Sequence, residues 1–166
     1  MALIDEQLVE EWLNRQNFFT MRGIKSGIDE IDLLAVRHNN DNSIDYWHTE
    51  VQVSFRPIGY IGGDTNARKR SEQEIRDGVV QWVDKKFKGK RKLDRRNDIV
   101  PNANWRYLLV HGEVRDSKEL EIMKELGVDL VPYKQVLGEL CSDKVKTSSS
   151  TASSITEVLN YISKNK

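Results

Sequence analysis

Two stretches of the chain alternate polar and apolar residues, and both place acids on their polar face. In the first, Ile31, Leu33 and Ala35 share one face, and Glu30 and Asp32 share the other. In the second, Trp47, Val51, Val53 and Phe55 oppose His48, Glu50, Gln52 and Ser54. A period of two is the strand signature, because successive side chains point to opposite faces of a sheet. The pattern predicts strands over 28–37 and 46–55. Between them, His38-Asn39-Asn40-Asp41-Asn42-Ser43 is turn chemistry, since Asn and Asp tolerate left-handed backbone and bond their own main chain. Paired as a hairpin, the two strands bring Asp32 and Glu50 side by side.

The flanking periodicities extend the reading. Ile4, Leu8, Val9, Trp12 and Leu13 have helical spacing, which predicts a helix over 3–15. An apolar and aromatic run over 18–24 reads as a strand, and the glycines of 57–66 as a loop. A long helix follows with the stripe Ile75, Val79, Trp82, Val83 and Phe87, opened by Ser71 and Glu74 at capping-box spacing. A strand is expected over 105–111. The next helix starts at Asp116 and Glu119, and Gly127 is its natural stop. A short buried-type strand over 128–131 and a helix over 133–141 complete the body. The predicted order is α-β-β-β-α-β-α-β-α. A three-strand antiparallel meander plus βαβ crossovers gives an α/β fold: a central mixed sheet flanked by helices. Residues 1–141 form this domain, 142–154 a Ser/Thr-rich linker, and 155–166 a short terminal helix.

Composition narrows the class. With 166 residues, 38% hydrophobic and 31% charged, the chain is long enough to build a real core. Formal net charge is +0, so any pull on nucleic acid or membrane must be local. The lone Cys141 excludes an intrachain disulfide and a Cys-rich zinc site, and reads as a small buried residue. The first 13 residues lack the basic and apolar regions of a signal peptide, and no apolar run approaches the ~18 residues of a membrane span. The expected location is the cytoplasm, away from membranes.

Two carboxylates side by side want a proton or a divalent cation. At ~4 Å their repulsion costs ~1 kcal/mol in water and ~4 kcal/mol at an effective dielectric of ~20. With an acid-bearing helix ahead of them, the residues Gly27-Ile28-Asp29-Glu30-Ile31-Asp32 and His48-Thr49-Glu50-Val51-Gln52 resemble the PD-(D/E)xK nuclease superfamily. This is the restriction-endonuclease-like fold, here closest in look to small single-domain members such as archaeal Holliday junction resolvases. Two departures stand out: no proline precedes Asp32, and Gln52 occupies the position where the family usually has lysine.

The resemblance implies metal-dependent hydrolysis of DNA phosphodiester bonds. Asp32, Glu50 and the Val51 carbonyl would hold Mg²⁺ or Mn²⁺, hard cations suited to oxygen ligands. A helix acid would join them: Glu6 by spacing, Glu10 as the alternative, with Glu11 also available. Gln52 can orient water through its amide but carries no charge. Nothing in the residues distinguishes the sugar, so RNA stays open beside DNA. Many members of the superfamily pair two copies to cut two strands, so a homodimer is a partner to look for. The alternative function is an inactive nuclease-like module that binds nucleic acid or protein.

Other features have two readings. Lys85, Lys86, Lys88, Lys90, Arg91, Lys92, Arg95 and Arg96 hold eight of the 26 Lys+Arg, the one strong positive stretch. Such a run either meets phosphates or is a solvated loop. The candidate nucleic-acid contacts are Lys88, Lys90, Arg91 and Lys92, with Arg56, Arg68, Lys69 and Arg70 nearer the acids. His48, on the Glu50 face, is either a ligand or a satisfied polar residue. Trp12, Phe18, Phe55 and Trp82 fit core packing better than base stacking.

Overall fold

Five strands form one mixed sheet in the order β1-β2-β3-β4-β5, the same as their order along the chain. β1 (Phe19–Ser26), β2 (Asp29–His38) and β3 (Ile44–Gln52) make the expected antiparallel meander. β4 (Trp105–His111) and β5 (Val128–Pro132) continue it in parallel with β3. The helices are α1 (Ala2–Arg15), α2 (Glu72–Val83), α3 (Lys90–Ile99), α4 (Ser117–Glu125) and α5 (Tyr133–Leu140). This is the α/β architecture expected from the periodicities. The computed structural model describes residues 2–53, 70–113 and 117–142, and six residues between Ile155 and Lys164. Arg56, Arg68, Lys69, Phe55, Asp116 and most of the 142–154 segment lie outside the described residues.

Local chemistry explains the boundaries. The turn that follows α1 holds Asn17, whose φ of 65° is the left-handed conformation asparagine tolerates. The β2–β3 turn uses Asn42 in the same way, and Asp41 Oδ1 accepts the Ser43 N–H at 3.0 Å. At the start of α2, Ser71 Oγ accepts the Glu74 N–H and Glu74 Oε2 accepts the Ser71 N–H at 2.8 Å, a complete capping box. Gly127, at φ 83°, closes α4.

The stripe of α2 carries a further detail. Ile75, Val79, Val83 and Phe87 are spaced four apart, and each such step overshoots the 3.6-residue turn by about 40°. A continuous α-helix would swing Phe87 out of the core. Instead the helix widens into one π turn, Asp84–Lys88, and Phe87 stays fully buried.

Helices cover both faces of the sheet. On one, Leu8, Val9, Trp12 and Leu13 of α1 and Val136 and Leu140 of α5 pack on Leu33, Ala35, Leu108 and Val110. On the other, Ile75, Val79, Val83, Phe87 and Met123 pack on Leu109 and Val128. Each such buried aliphatic or aromatic side chain contributes roughly 1.5–3 kcal/mol. Phe18 is core, and Ile155 packs on the first layer. Cys141 is half-buried. Among the described residues, no helix is long and apolar enough to cross a membrane.

One expectation fails. The basic run is not a solvated loop: it forms the π turn and α3, and Lys92 and Arg96 face inward. Lys92 is only 4% exposed, so it does not belong to an outer nucleic-acid-binding surface.

Candidate active site

The site begins where β2 and β3 part. Their ladder ends at the Leu33–Thr49 pair, so Asp32 and Glu50 are the next residues along each strand. There the Asp32 side chain takes over a backbone role: its Oδ2 accepts the Val51 N–H at 2.8 Å. β3 nevertheless runs on beside β4, with Val51 opposite Val110 and Gln52 opposite His111. The split leaves an open cleft of about 680 Å³, bordered by Glu6, Glu30, Asp32, Lys85, Lys86 and Lys92.

Glu50 is buried behind the cleft-lining Lys86 and Lys92, 1% exposed. The polar face of β3 is therefore not solvated; the π turn and α3 cover it. Lys86 Nζ donates to Glu50 Oε2 at 2.8 Å, and Lys92 Nζ to Oε1 at 2.7 Å. His48 Nε2 lies 2.9 Å from the same Oε1. Arg96 reaches His48 Nδ1 from the other side and donates to the Phe87 carbonyl at 2.8 Å. A guanidinium can only donate, so His48 Nδ1 accepts and its proton sits on Nε2, facing Glu50. His48 is thus the satisfied polar residue, with its tautomer fixed by its neighbours.

The two carboxyls titrate in opposite directions. Burial pushes Glu50 up, but the His48 hydrogen bond and the Lys86 and Lys92 charges outweigh it and hold Glu50 down at about 2. Burial pushes Asp32 up, the Glu50 charge adds to it, and the Val51 N–H and the two lysines offset only part; Asp32 reaches about 6. Burial also lowers His48 to about 4, against the pull of Glu50, so it is neutral at neutral pH. Glu6 is raised by burial and by the charges of Asp32, Glu30 and Glu50. Burial opposes the charge on Lys86, but Glu50, Asp32 and Glu6 more than compensate and raise it. Three carboxylates therefore act on one ammonium.

The structure separates the helix acids. Glu6 borders the cleft. Glu10 is held away from it, with Oε2 accepting from Arg22 Nε at 3.1 Å and Oε1 from Thr20 Oγ1 at 3.3 Å. Glu11 is buried in an ion pair with Arg15 at 2.9 Å, and Arg15 also reaches the Leu140 carbonyl on α5. Gln52 is half-buried at the end of β3, where its carbonyl accepts the Gly112 N–H, and it does not border the cleft.

The basic residues divide as well. Lys90 and Arg91 are exposed on α3, and Lys88 lies 3.6 Å from Asp84. Arg70 is tethered at the start of α2, its Nη2 donating to buried Glu119 at 2.8 Å. Lys86 and Arg96 escaped the sequence reading as parts of the site, and Lys92 entered it only as a nucleic-acid contact. The one available signal was that Lys86 adjoins Phe87, the last member of the α2 stripe.

Among the described residues, no group of three or more His, Cys, Asp and Glu converges at metal-ligand spacing. The oxygen donors that border the cleft, from Asp32 and Glu6, are of the kind that hard cations take.

No family model and no curated protein matches the chain. A solved structure titled as a protein of unknown function, AF1548, is similar at 12% identity with a TM-score of 0.47. The match covers 84% of this chain and spans 66% of that one. Likeness at this level carries no functional argument.

Proposed function

We propose that the chain is a metal-dependent endonuclease of restriction-endonuclease-like fold, hydrolysing phosphodiester bonds of DNA. The observation that carries this reading is that Glu6 and Asp32 border one cleft where β2 and β3 separate, beside a buried Glu50 whose charge helps raise the Asp32 carboxyl. Asp32, Glu50 and the Val51 carbonyl are the residues that would hold Mg²⁺ or Mn²⁺, with Glu6 beside them. Such an ion polarises the scissile phosphate and lowers the pKa of a bound water. With so few protein ligands, it would keep several of its waters, as Mg²⁺ commonly does.

The chain's own groups prepare the site. His48, Lys86 and Lys92 keep Glu50 ionised far below neutral pH. Asp32 gives up its proton near pH 6, so both carboxylates are available at neutral pH. The Gln52 amide can orient water but cannot offset charge. Lys90 and Arg91, exposed on α3, are free to meet a phosphate backbone.

A second reading is an inactive nuclease-like module that binds nucleic acid or protein. The saturation of Glu50 by three hydrogen-bond partners favours it. A cleavage panel decides between them. Duplex, single-stranded, flapped and four-way DNA, with RNA alongside, are incubated with Mg²⁺, Mn²⁺ or EDTA. Metal-dependent cutting by the wild type, lost in Asp32→Ala, is the expected result. No cutting of any substrate hands the function to the second reading.

A further inference from the structure

We infer that Lys86, presented by the π turn, is the catalytic cation of this site, supplying the positive charge that Gln52 cannot. The inference rests on the endonuclease reading above and deepens it. Three observations carry it.

The first is position. Lys86 Nζ lies 2.8 Å from Glu50 Oε2, the oxygen not shared by His48 and Lys92. It also borders the cleft with Glu6 and Asp32. The second is access. Lys92 bonds the same carboxylate, but its side chain is 5% exposed, against 30% for Lys86. Lys92 therefore fixes Glu50 from within, whereas the more exposed Lys86 can turn toward a molecule in the cleft while Lys92 and His48 still hold the buried carboxylate. The third is the backbone. The π turn puts Phe87 in the core and Lys86, its neighbour, at the border of the cleft. Interrupted helices of this kind recur at functional sites.

In hydrolysis, a water oxygen bonds to phosphorus while the bond to the leaving sugar oxygen breaks. One water proton passes to solvent, and the leaving oxygen takes one up. Negative charge grows on the phosphoryl oxygens in between. An ammonium aimed there stabilises that charge without transferring a proton. Gln52 offers only an amide dipole from the end of β3.

The test uses the full chain, single-turnover cleavage of a substrate from the panel, and calorimetric titration with Mn²⁺. Lys86→Met is expected to slow cleavage by about 100-fold or more, the scale of losing one electrostatic stabiliser. Mn²⁺ binding should be unchanged or tighter, since a competing cation has gone. Adding Gln52→Lys to Lys86→Met returns a charge from the strand and should recover about tenfold or more of the lost rate. Cleavage by Lys86→Met at the wild-type rate overturns the inference and leaves the endonuclease reading standing. Loss of Mn²⁺ binding together with cleavage also overturns it, because Lys86 would then only shape the metal site. A double variant no faster than Lys86→Met overturns the equivalence with position 52. A wild type that neither binds Mn²⁺ nor cleaves overturns both readings.

Discussion

Two regions of the sheet are covered by helices of opposite character. Under α1 and α5 the contact is apolar: Leu8, Val9, Trp12, Leu13, Val136 and Leu140 meet Leu33, Ala35, Leu108 and Val110. Under the π turn and α3, the buried layer includes His48, Glu50, Lys92 and Arg96. An apolar layer gains from each methylene removed from water, and truncating one of its side chains strands no charge. A buried ionic layer carries a large desolvation cost and is held only while every partner is present. The first is a foundation. The second stores charge beside an opening, which is what a reactive site requires.

The difference can be broken most forcefully at Glu50. Glu50→Ala leaves Lys92 buried without its counter-charge and should cost about 3–5 kcal/mol in urea unfolding. Leu13→Ala in the apolar layer should cost a comparable ~2–5 kcal/mol. What separates them is coupling. Adding Lys92→Met to Glu50→Ala should restore part of the stability, because the stranded charge disappears with it. Strictly additive losses would remove the distinction between the layers.

A smaller effect follows from pH. Burial and the Glu50 charge raise the Asp32 carboxyl from 3.8 to about 6, so the fold favours its protonated form. Its contribution to stability is full below pH 3.8 and is lost as pH rises through 6. Asn mimics the protonated acid and can still accept the Val51 N–H. Asp32→Asn should therefore stabilise the protein by up to about 3 kcal/mol at pH 8 and by almost nothing at pH 3.5. Unfolding curves at the two pH values check this, and an equal effect at both would refute it. Glu50 runs the other way: its contribution is present above pH 4.5 and fades as pH falls toward 2.

The smallest effect tests what anchors the helix leading to Lys86. Ser71→Ala removes half of the capping box and should cost about 1 kcal/mol. Its effect on the apolar α1 layer should be nil, readable as unchanged hydrogen exchange at Leu8 and Val9.

The sequence is legible wherever burial is apolar. Val79, Leu109 and Leu33 announce their elements by period, and the Ser71–Glu74 pair marks a helix start to the residue. α3 was missed for the converse reason. Its inward positions are Lys92 and Arg96, one helical turn apart, so its buried face has the composition of a solvated one. The acids at Asp32 and Glu50 were visible because strand alternation isolates them. Choosing among Glu6, Glu10 and Glu11 required knowing that Arg22 and Thr20 occupy Glu10 and that Arg15 occupies Glu11. The two lysine partners of Glu50 lie 36 and 42 residues downstream of it, beyond any local pattern.

The π turn makes chain length, as well as residue identity, a determinant of the cleft. A helix that widens for one turn holds a residue more than its regular counterpart needs. Removing one residue between Gly78 and Asp84 would leave every side chain of the cleft in the sequence. It would also change the register at which the helix hands over to Phe87 and Lys86. The core would then compete with the cleft: seating Phe87 in its pocket would rotate Lys86 off Glu50. In this protein an insertion or deletion far from either acid would reshape the cleft, while many substitutions at the same place would pass unnoticed.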